Sequence, residues 1–205
     1  MKKLILILLT LQSIICNAQF PKDVEILEIK FLNNSTDSFI VDLDKSNPNS
    51  LKRLPILDSA AKYHAEYLII HYINTDSLTH REYVDYPNFV EKIKPDDRTG
   101  FKNQTSEICT AAKESTVTNP KFEKGSYLDI LRISFSYKEI LKAYKNSPGH
   151  WSAATDKRSK YVGSCTVMVL YKTTKGLTKA DIDRGFFNLV YNRFNVTVFI
   201  EDPKK

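Results

Sequence analysis

Residues 54–71 have the sequence LPILDSAAKYHAEYLIIH and contain the strongest periodic pattern in the chain. Apolar side chains and two histidines recur there at i, i+4, i+7, i+11 and i+14, and they are Leu57, Ala61, His64, Leu68 and His71. Positions with this spacing share one face of an α-helix, and the alanines between them favour helix. The stretch therefore predicts a long helix that packs on the core, with both histidines as hydrogen-bonded core residues.

Other elements can be placed outward from this helix. Tyr137–Lys145 predicts a second helix, because its apolar residues fall on one side. The segments Val162–Tyr171 and Asn195–Ile200 are rich in β-branched and aromatic residues and predict strands. Residues 178–181 resemble a capping box, which predicts a short helix. Helices that come first and strands that come late favour a mixed α/β layered domain.

Two segments give weaker patterns. Val24, Leu27 and Phe31 follow helical spacing, which predicts a helix across residues 21–32. Residues 85–106 are punctuated by prolines and a glycine, which predicts a loop with little regular structure.

Composition limits the class of protein. The chain has 205 residues, of which 42% are hydrophobic and 26% charged. At about 100–200 residues per domain, this predicts one domain over residues 19–205. Ample apolar content excludes a disordered chain, and no apolar run reaches the about 18–20 residues of a membrane-spanning helix. The net charge of +6 is mild and its residues are scattered, so nucleic acid is not an expected partner.

The first eighteen residues have the pattern of a secretory signal peptide of bacterial type. A pair of lysines at residues 2–3 precedes an almost unbroken apolar run, and small residues follow, which predicts cleavage between Ala18 and Gln19. A lipoprotein anchored at Cys16 is less favoured, because Ile15 stands where a small residue is needed. A membrane anchor would need a longer run. The mature chain is therefore expected to be secreted or periplasmic.

Removal of the signal would leave two cysteines, Cys109 and Cys165. In an oxidising compartment two cysteines are more often bonded than free, so a disulfide is predicted. It would close a loop of about 56 residues and contribute about 4 kcal/mol. The alternative is two buried unpaired thiols, since sequence alone does not show that the sulfur atoms meet.

Histidines are the natural place to look for chemistry, because they titrate near neutral pH. His80 follows the long helix, and His150 follows Ser-Pro-Gly where another helix stops. Histidines at such junctions can present a ring nitrogen to a cleft. The chain lacks the His-Glu-x-x-His, Gly-x-Ser-x-Gly and glycine-rich phosphate-binding motifs. No catalytic residue is therefore assigned.

Four stretches resemble motifs of the CAP superfamily, the cysteine-rich secretory, antigen 5 and pathogenesis-related-1 proteins that share the SCP domain. Residues 54–68 resemble the long helix of that family, and Leu-Thr-His at 78–80 resembles its Ser-His motif. TSEI at 105–108 is similar to its Gly-Glu-Asn-Ile motif, and AYKNSPGH at 143–150 to its bacterial Ala-Trp-Met-Asn-Ser-Pro-Gly-His pattern. The resemblance covers residues 24–171.

This resemblance implies an α-β-α sandwich with a central antiparallel sheet and a cleft of histidines and glutamate. Carried over by motif, the cleft residues are His80, Glu107 and His150. The second glutamate of the family would fall at Ser147, and Tyr144 replaces its tryptophan, so both are expected to lie just behind the cleft. Two imidazoles and one carboxylate leave an open position on a zinc ion, which makes zinc the cofactor that the pattern admits.

The chain also departs from the family. Ile108 replaces the asparagine of the glutamate motif, and Trp151 replaces an arginine after the histidine. An insertion around residues 112–136 is expected to cover or reshape the cleft.

Three functions remain open. The favoured one is a secreted CAP-type binding or interaction module, without turnover, whose His/Glu cleft holds a divalent metal or a small ligand. The second is a zinc-dependent hydrolase or protease, in which a zinc-bound water attacks an ester or peptide. The third is a vestigial cleft whose three residues form a hydrogen-bonded polar cluster, either with no ligand at all or in a lipid-binding protein with an apolar groove within residues 127–131. The expected partner is accordingly a small molecule, a lipid or a protein.

Overall fold

The structure, a computed structural model, describes residues 20–85, 90–102, 104–118 and 136–203. The predicted signal peptide lies outside these residues. So does most of the predicted insertion, including the proposed lipid groove; its first residues, 112–118, are part of a strand.

Seven strands and six helices are found in the described residues. The strands are β1 (Val24–Phe31), β2 (Lys52–Arg53), β3 (Glu82–Asp85), β4 (Val90–Ile93), β5 (Ser106–Thr118), β6 (Tyr161–Thr173) and β7 (Phe187–Ile200). The helices are α1 (Asn33–Asp44), α2 (Pro55–Thr75), α3 (Pro95–Thr99), α4 (Tyr137–Lys145), α5 (Pro148–Ala154) and α6 (Lys179–Asp183). The predicted long helix, the helix at 137–145, both strands and the capped short helix are thereby confirmed.

The main sheet has the strand order β1-β6-β7-β5, and all of these neighbours are antiparallel. The short β2 adds a parallel pair at the start of β6, and β3 and β4 form a separate hairpin. β6 and β7 are buried along almost their whole length, because helices cover both of their faces. β5 stands at the end of the order, so the described part of the sheet has an edge there.

Helices pack on both faces of the sheet. On one face, Leu57 and Leu68 of α2 pack with Phe194 of β7. On the other, residues of α1, α4 and α5 pack with Phe199 of the same strand. Phe194 and Phe199 are an odd number of residues apart, so they point to opposite faces. The predicted α-β-α sandwich with a central antiparallel sheet is confirmed.

Gly163 allows α2 to lie very close to the sheet. A Cβ atom on Gly163 would lie 2.2 Å from the carbonyl carbon of Leu57 and 2.3 Å from the amide nitrogen of Asp58. The next residue, Ser164, donates its amide hydrogen to the Asp58 carboxylate at 3.0 Å. The start of α2 is therefore fixed to β6, which sets the position of every residue further along the helix.

The prediction of a helix at 21–32 was wrong. Residues 24–31 form β1, and the pairing of β1 with β6 shifts register between Ile26 and Glu28. This bulge changes which positions face α2, since Val24 and Ile26 precede it and Ile29 and Phe31 follow it on the same side. Because the bulge interrupts the alternation of the strand, the apolar residues Val24, Leu27 and Phe31 have a spacing that resembles that of a helix.

The prediction of an irregular loop at 85–106 was also wrong in part. β4 and α3 lie within it, and Pro95 occupies the first turn of α3, where proline is favoured. Gly100 ends α3 in a left-handed conformation.

The predicted disulfide is wrong: Cys109 and Cys165 are both free and buried. Each lies opposite Val196, one on β5 and one on β6, so the whole of β7 separates them. Two strand spacings amount to about 9–10 Å, and Cα atoms more than about 7 Å apart cannot be bridged without backbone movement. The structure shows the alternative, two buried thiols.

Candidate functional site

A contact between His80 and Glu107 is at the centre of the candidate site. His80 lies in the connection after α2, and Glu107 is the second residue of β5. The Nδ1 atom of His80 is 3.1 Å from Oε1 of Glu107. The His80 side chain is 48% exposed, whereas that of Glu107 is 1% exposed. The pair therefore links the protein surface to a buried carboxylate.

Arg98 and His64 contact the Glu107 carboxylate from the protein interior. Arg98 of α3 donates to its Oε2 atom, and the imidazole of His64 is 3.5 Å from its Oε1 atom. Burial alone would raise the pKa of Glu107, but the hydrogen bond from His80 and the charges of His64 and Arg98 outweigh it and lower the pKa below its usual value. Glu107 is therefore ionised near neutral pH.

Arg98 also joins a second buried carboxylate to the site. Its Nη1 atom is 3.3 Å from Oε1 of Glu82, and the two side chains are 2% and 4% exposed. The same Nη1 atom donates to the backbone carbonyl of His80 at 3.4 Å. Arg98 therefore fixes both Glu82 and the loop that carries His80.

His64, in the middle of α2, is fully buried and hydrogen-bonded, as predicted. Its Nδ1 atom faces Oε1 of Glu82 at 2.9 Å, and its Nε2 atom faces the carbonyl oxygen of Thr79 at 2.8 Å. Both ring nitrogens therefore have an oxygen partner. His64 and Arg98 together face the buried carboxylates of Glu82 and Glu107, so these polar groups are paired, as burial requires.

Cys109 adds a thiol to this cluster, because residues 107 and 109 point to the same face of β5. Its Sγ atom lies 3.6 Å from His80 Nδ1 and 3.7 Å from Glu107 Oε1. Burial, together with the charge of Glu107, raises the pKa of Cys109 well above its ordinary value.

His150 lies on the other side of the β5 edge. It is half-buried in α5, and its ring contacts the edge of the Tyr144 ring at a centroid distance of 5.6 Å. Burial and the nearby charge of His80 lower its pKa, so the imidazole is neutral near pH 7. His150 is thus close enough to His80 to sense its charge, while its ring contact is with Tyr144.

The two residues expected behind the cleft have different roles. Tyr144 is fully buried and its hydroxyl donates to the side-chain carbonyl oxygen of Asn195, so it packs α4 and His150 on the sheet. Ser147 precedes α5, and its backbone carbonyl accepts a hydrogen bond from Trp151 at 2.8 Å. The backbone of Ser147 therefore stabilises the first turn of α5, the helix that contains His150.

The structure brings His80 and Glu107 into contact, whereas His150 lies apart from this pair and packs against Tyr144. Four further members of the cluster were not assigned to the site from the sequence: His64, Glu82, Arg98 and Cys109. Cys109 could have been found, because Glu-x-Cys on a strand places both side chains on one face. Arg98 had no such signal, since its segment was expected to be a loop.

The described residues contain one group of side chains with the donor types and spacing for a metal ion. His64, Glu107 and Cys109 each offer an atom, and all three atoms lie within 4.8 Å of one another. This set differs from the expected one in containing His64 and Cys109 instead of His80 and His150. The half-exposed His80 adjoins it through Glu107 and Cys109.

Comparisons with known proteins do not assign a family. No protein-family model and no curated protein matches the chain. A solved structure of an outer surface protein from Borrelia burgdorferi is similar with a TM-score of 0.46 and 13% sequence identity, over 87% of this chain and 98% of that one. Among the described residues, no helix combines the length and apolar character needed to span a membrane.

Proposed function

We propose that this chain is an extracytoplasmic binding module of the CAP type, which holds a divalent transition-metal ion at His80 and Glu107 and does not turn over a substrate. The observation that carries the proposal is the 3.1 Å contact between a half-exposed imidazole and a buried carboxylate. Imidazole and carboxylate are ligands that zinc accepts, and the exposed part of the pair is the His80 side chain.

Preorganisation of the carboxylate supports metal binding. Arg98 holds Oε2 of Glu107, so Oε1 stays directed at His80. A ligand that is fixed before binding loses little conformational freedom when the ion arrives. Arg98 reduces the negative charge available to an ion, but Glu82 lies against the same guanidinium and offsets it.

The same contacts argue against Glu107 as a general base. A general base works best when its pKa is near the operating pH, and the pKa of Glu107 is lowered by its cationic partners. A carboxylate bound to a guanidinium and two imidazoles is also a poor proton acceptor. For this reason we favour binding over hydrolysis.

A hydrolase stays the second candidate because of His150. Its lowered pKa leaves a neutral imidazole within electrostatic reach of His80, and a neutral imidazole that reached a metal-bound water would be a suitable general base. Zinc-dependent cleavage of ester or peptide substrates that is lost in His150→Ala would favour this function.

A zinc titration of the purified protein by calorimetry tests the proposal. The parent is expected to bind one zinc ion, and the His80→Ala/His150→Ala double variant is expected to lose binding. His71→Asn serves as the control, because it removes a histidine of α2 that contacts Tyr67 and Ser77 instead of Glu107. Absence of zinc binding in the parent, or equal affinity in the double variant, would overturn the proposal.

A further inference from the structure

Three side-chain donor atoms lie around Oε1 of Glu107, next to the exposed edge of the cluster at His80. Oε1 of Glu107 is 3.1 Å from His80 Nδ1, 3.5 Å from His64 Nε2 and 3.7 Å from Cys109 Sγ. Cys109 Sγ is in turn 3.6 Å from His80 Nδ1. The donor atoms are contributed by three separate parts of the chain, namely α2, the loop after it, and β5.

These separations are close to those around a tetrahedral zinc ion. Zinc binds nitrogen and oxygen at about 2.0–2.2 Å and thiolate sulfur at about 2.3 Å, so neighbouring ligand atoms stand about 3.3–3.7 Å apart. Three of the separations given above, 3.5, 3.6 and 3.7 Å, lie within this range, and the hydrogen-bonded His80–Glu107 pair is slightly closer at 3.1 Å. The set, two imidazoles, one thiolate and one carboxylate, is of the borderline-soft type that zinc prefers over magnesium or calcium.

We infer that the metal of the proposed cleft is a zinc-class ion held by His64 Nε2, His80 Nδ1, Glu107 Oε1 and Cys109 Sγ, and that His150 lies outside the ligand set. This inference rests on the proposed function and names the ligands of that site. The thiolate and the helix histidine distinguish it from a site made only of surface histidines and a glutamate.

Neighbouring groups support each ligand. Oε1 of Glu82 accepts from Nδ1 of His64 at 2.9 Å, which holds the ring with Nε2 at 2.8 Å from the Thr79 carbonyl oxygen and 3.5 Å from Oε1 of Glu107. Carboxylate–histidine pairs of this kind fix the tautomer and orientation of metal-binding histidines. Arg98 binds only Oε2 of Glu107, which leaves Oε1 for the ion.

Charge balance is the same before and after metal binding. The ion would displace two protons, one from the Cys109 thiol and one from His64 Nε2, which faces the Thr79 carbonyl oxygen. When a divalent ion binds, the N–H and S–H bonds break, both protons pass to the buffer, and N–metal and S–metal bonds form. The hydrogen on His80 moves from Nδ1 to Nε2, with no net release. The carbonyl of Thr79 loses its hydrogen bond from His64 and is the one group left to find another partner.

Cobalt substitution tests the ligand set. Cobalt(II) replaces zinc in tetrahedral sites, and a thiolate ligand produces a charge-transfer absorption in the near ultraviolet. Titration of the full chain with cobalt(II) is expected to give this absorption at one equivalent. Cys109→Ser is expected to abolish it and to raise the dissociation constant at least about tenfold. Cys165→Ser, which changes the other sheet cysteine, and His150→Ala are expected to keep it.

The outcomes separate this inference from the proposed function. If neither zinc nor cobalt binds to the parent, both fail. If the metal binds to the parent without the near-ultraviolet absorption, or if His150→Ala abolishes binding while Cys109→Ser does not, this inference fails and the proposed function stands. The parent spectrum alone decides the thiolate question, so a Cys109 variant that does not fold leaves the test intact.

Discussion

The His80 imidazole lies 3.1 Å from the Glu107 carboxylate, and the pair spans the boundary between solvent and protein interior. Almost half of His80 is exposed, while Glu107 is held from behind by Arg98 and His64. The Glu107 carboxylate therefore has buried partners on one side and a half-exposed imidazole on the other.

Replacement of Glu107 with Gln should be strongly destabilising and should change the acid stability. Loss of this buried partner leaves Arg98 and His64 poorly compensated, at a cost of about 3–5 kcal/mol. The folded-state pKa of Glu107 lies below the unfolded value of 4.5, so its contribution is full above that pH and is lost as the pH falls through the folded value. The stability difference between parent and variant should narrow below pH 4.5 in urea unfolding experiments.

The control is Glu139→Gln, which changes an exposed glutamate on α4 whose ion pair with Lys142 is 4.0 Å long. Exposed pairs contribute about 0–1 kcal/mol, so this variant should stay close to the parent at every pH. A Glu107→Gln penalty that does not vary with pH would show that the carboxylate is not stabilised by its charge.

Gly163→Ala should destabilise the protein by about 3 kcal/mol or more, because the new methyl group would overlap the backbone of Leu57 and Asp58. Gly149→Ala is the matched control: nothing lies within 4 Å of the added carbon, and the residue is in α5, where alanine is the better helix former. Thermal denaturation of both variants provides the measurement. Similar melting temperatures for the two would mean that α2 does not approach the sheet this closely.

Asn195→Ala should cost about 2 kcal/mol or more, since it removes a fully buried amide that joins β6, β7 and α4. The Asn195 amide donates to Ser164 and Thr166, and its oxygen accepts from Tyr144. Asn188→Ala is the control on the same strand, because that side chain makes one exposed hydrogen bond to the carbonyl of Lys175. Equal unfolding free energies for the two variants would contradict this role.

The sheet cysteines should be unpaired, and a reductant should leave the melting temperature unchanged. Burial raises the pKa of Cys165 to about 12 and that of Cys109 well above its usual value, so both thiols should react slowly with a disulfide reagent in the folded protein. In the unfolded state, Cys109→Ala and Cys165→Ala should each have one reactive thiol fewer than the parent. A reductant-dependent melting temperature would instead indicate a bridge.

His150 should titrate below 6.5, and His80→Gln should raise its pKa toward that value without reaching it. The substitution removes the charge of His80 but leaves the burial that also lowers the pKa of His150. His71 is the internal control. Its pKa is lowered by burial and by the charge of His64, so it should not change in His80→Gln. An NMR titration follows both rings in one sample, and a His150 pKa that does not respond to His80→Gln would separate the two residues.

Local patterns predicted the elements whose periodicity is undisturbed. The long α2 helix and the buried strands β6 and β7 follow directly from side-chain spacing, because each buries a continuous face. β1 was missed for the opposite reason: the bulge after Ile26 interrupts its alternation, and only the pairing with β6 reveals the register.

The candidate site was only half predictable for the same reason. His80 and Glu107 were identified through resemblance to known motifs, and the structure places them in contact. The role of Arg98 depends on α3, a five-residue helix whose residues have no periodicity to detect. Its role in the site comes from its contacts with Glu82 and Glu107, which lie on two other elements, β3 and β5.

The sequence by itself determined the layered α/β architecture, the face of α2 that is buried and the cysteines available for chemistry, since these depend on the type and spacing of neighbouring residues. Only the tertiary structure decided which polar groups meet: it separated Cys109 from Cys165 by a strand and brought Cys109 to His80. Buried charges and donor atoms are arranged by contacts between distant segments, and those contacts are set by how helices and strands pack.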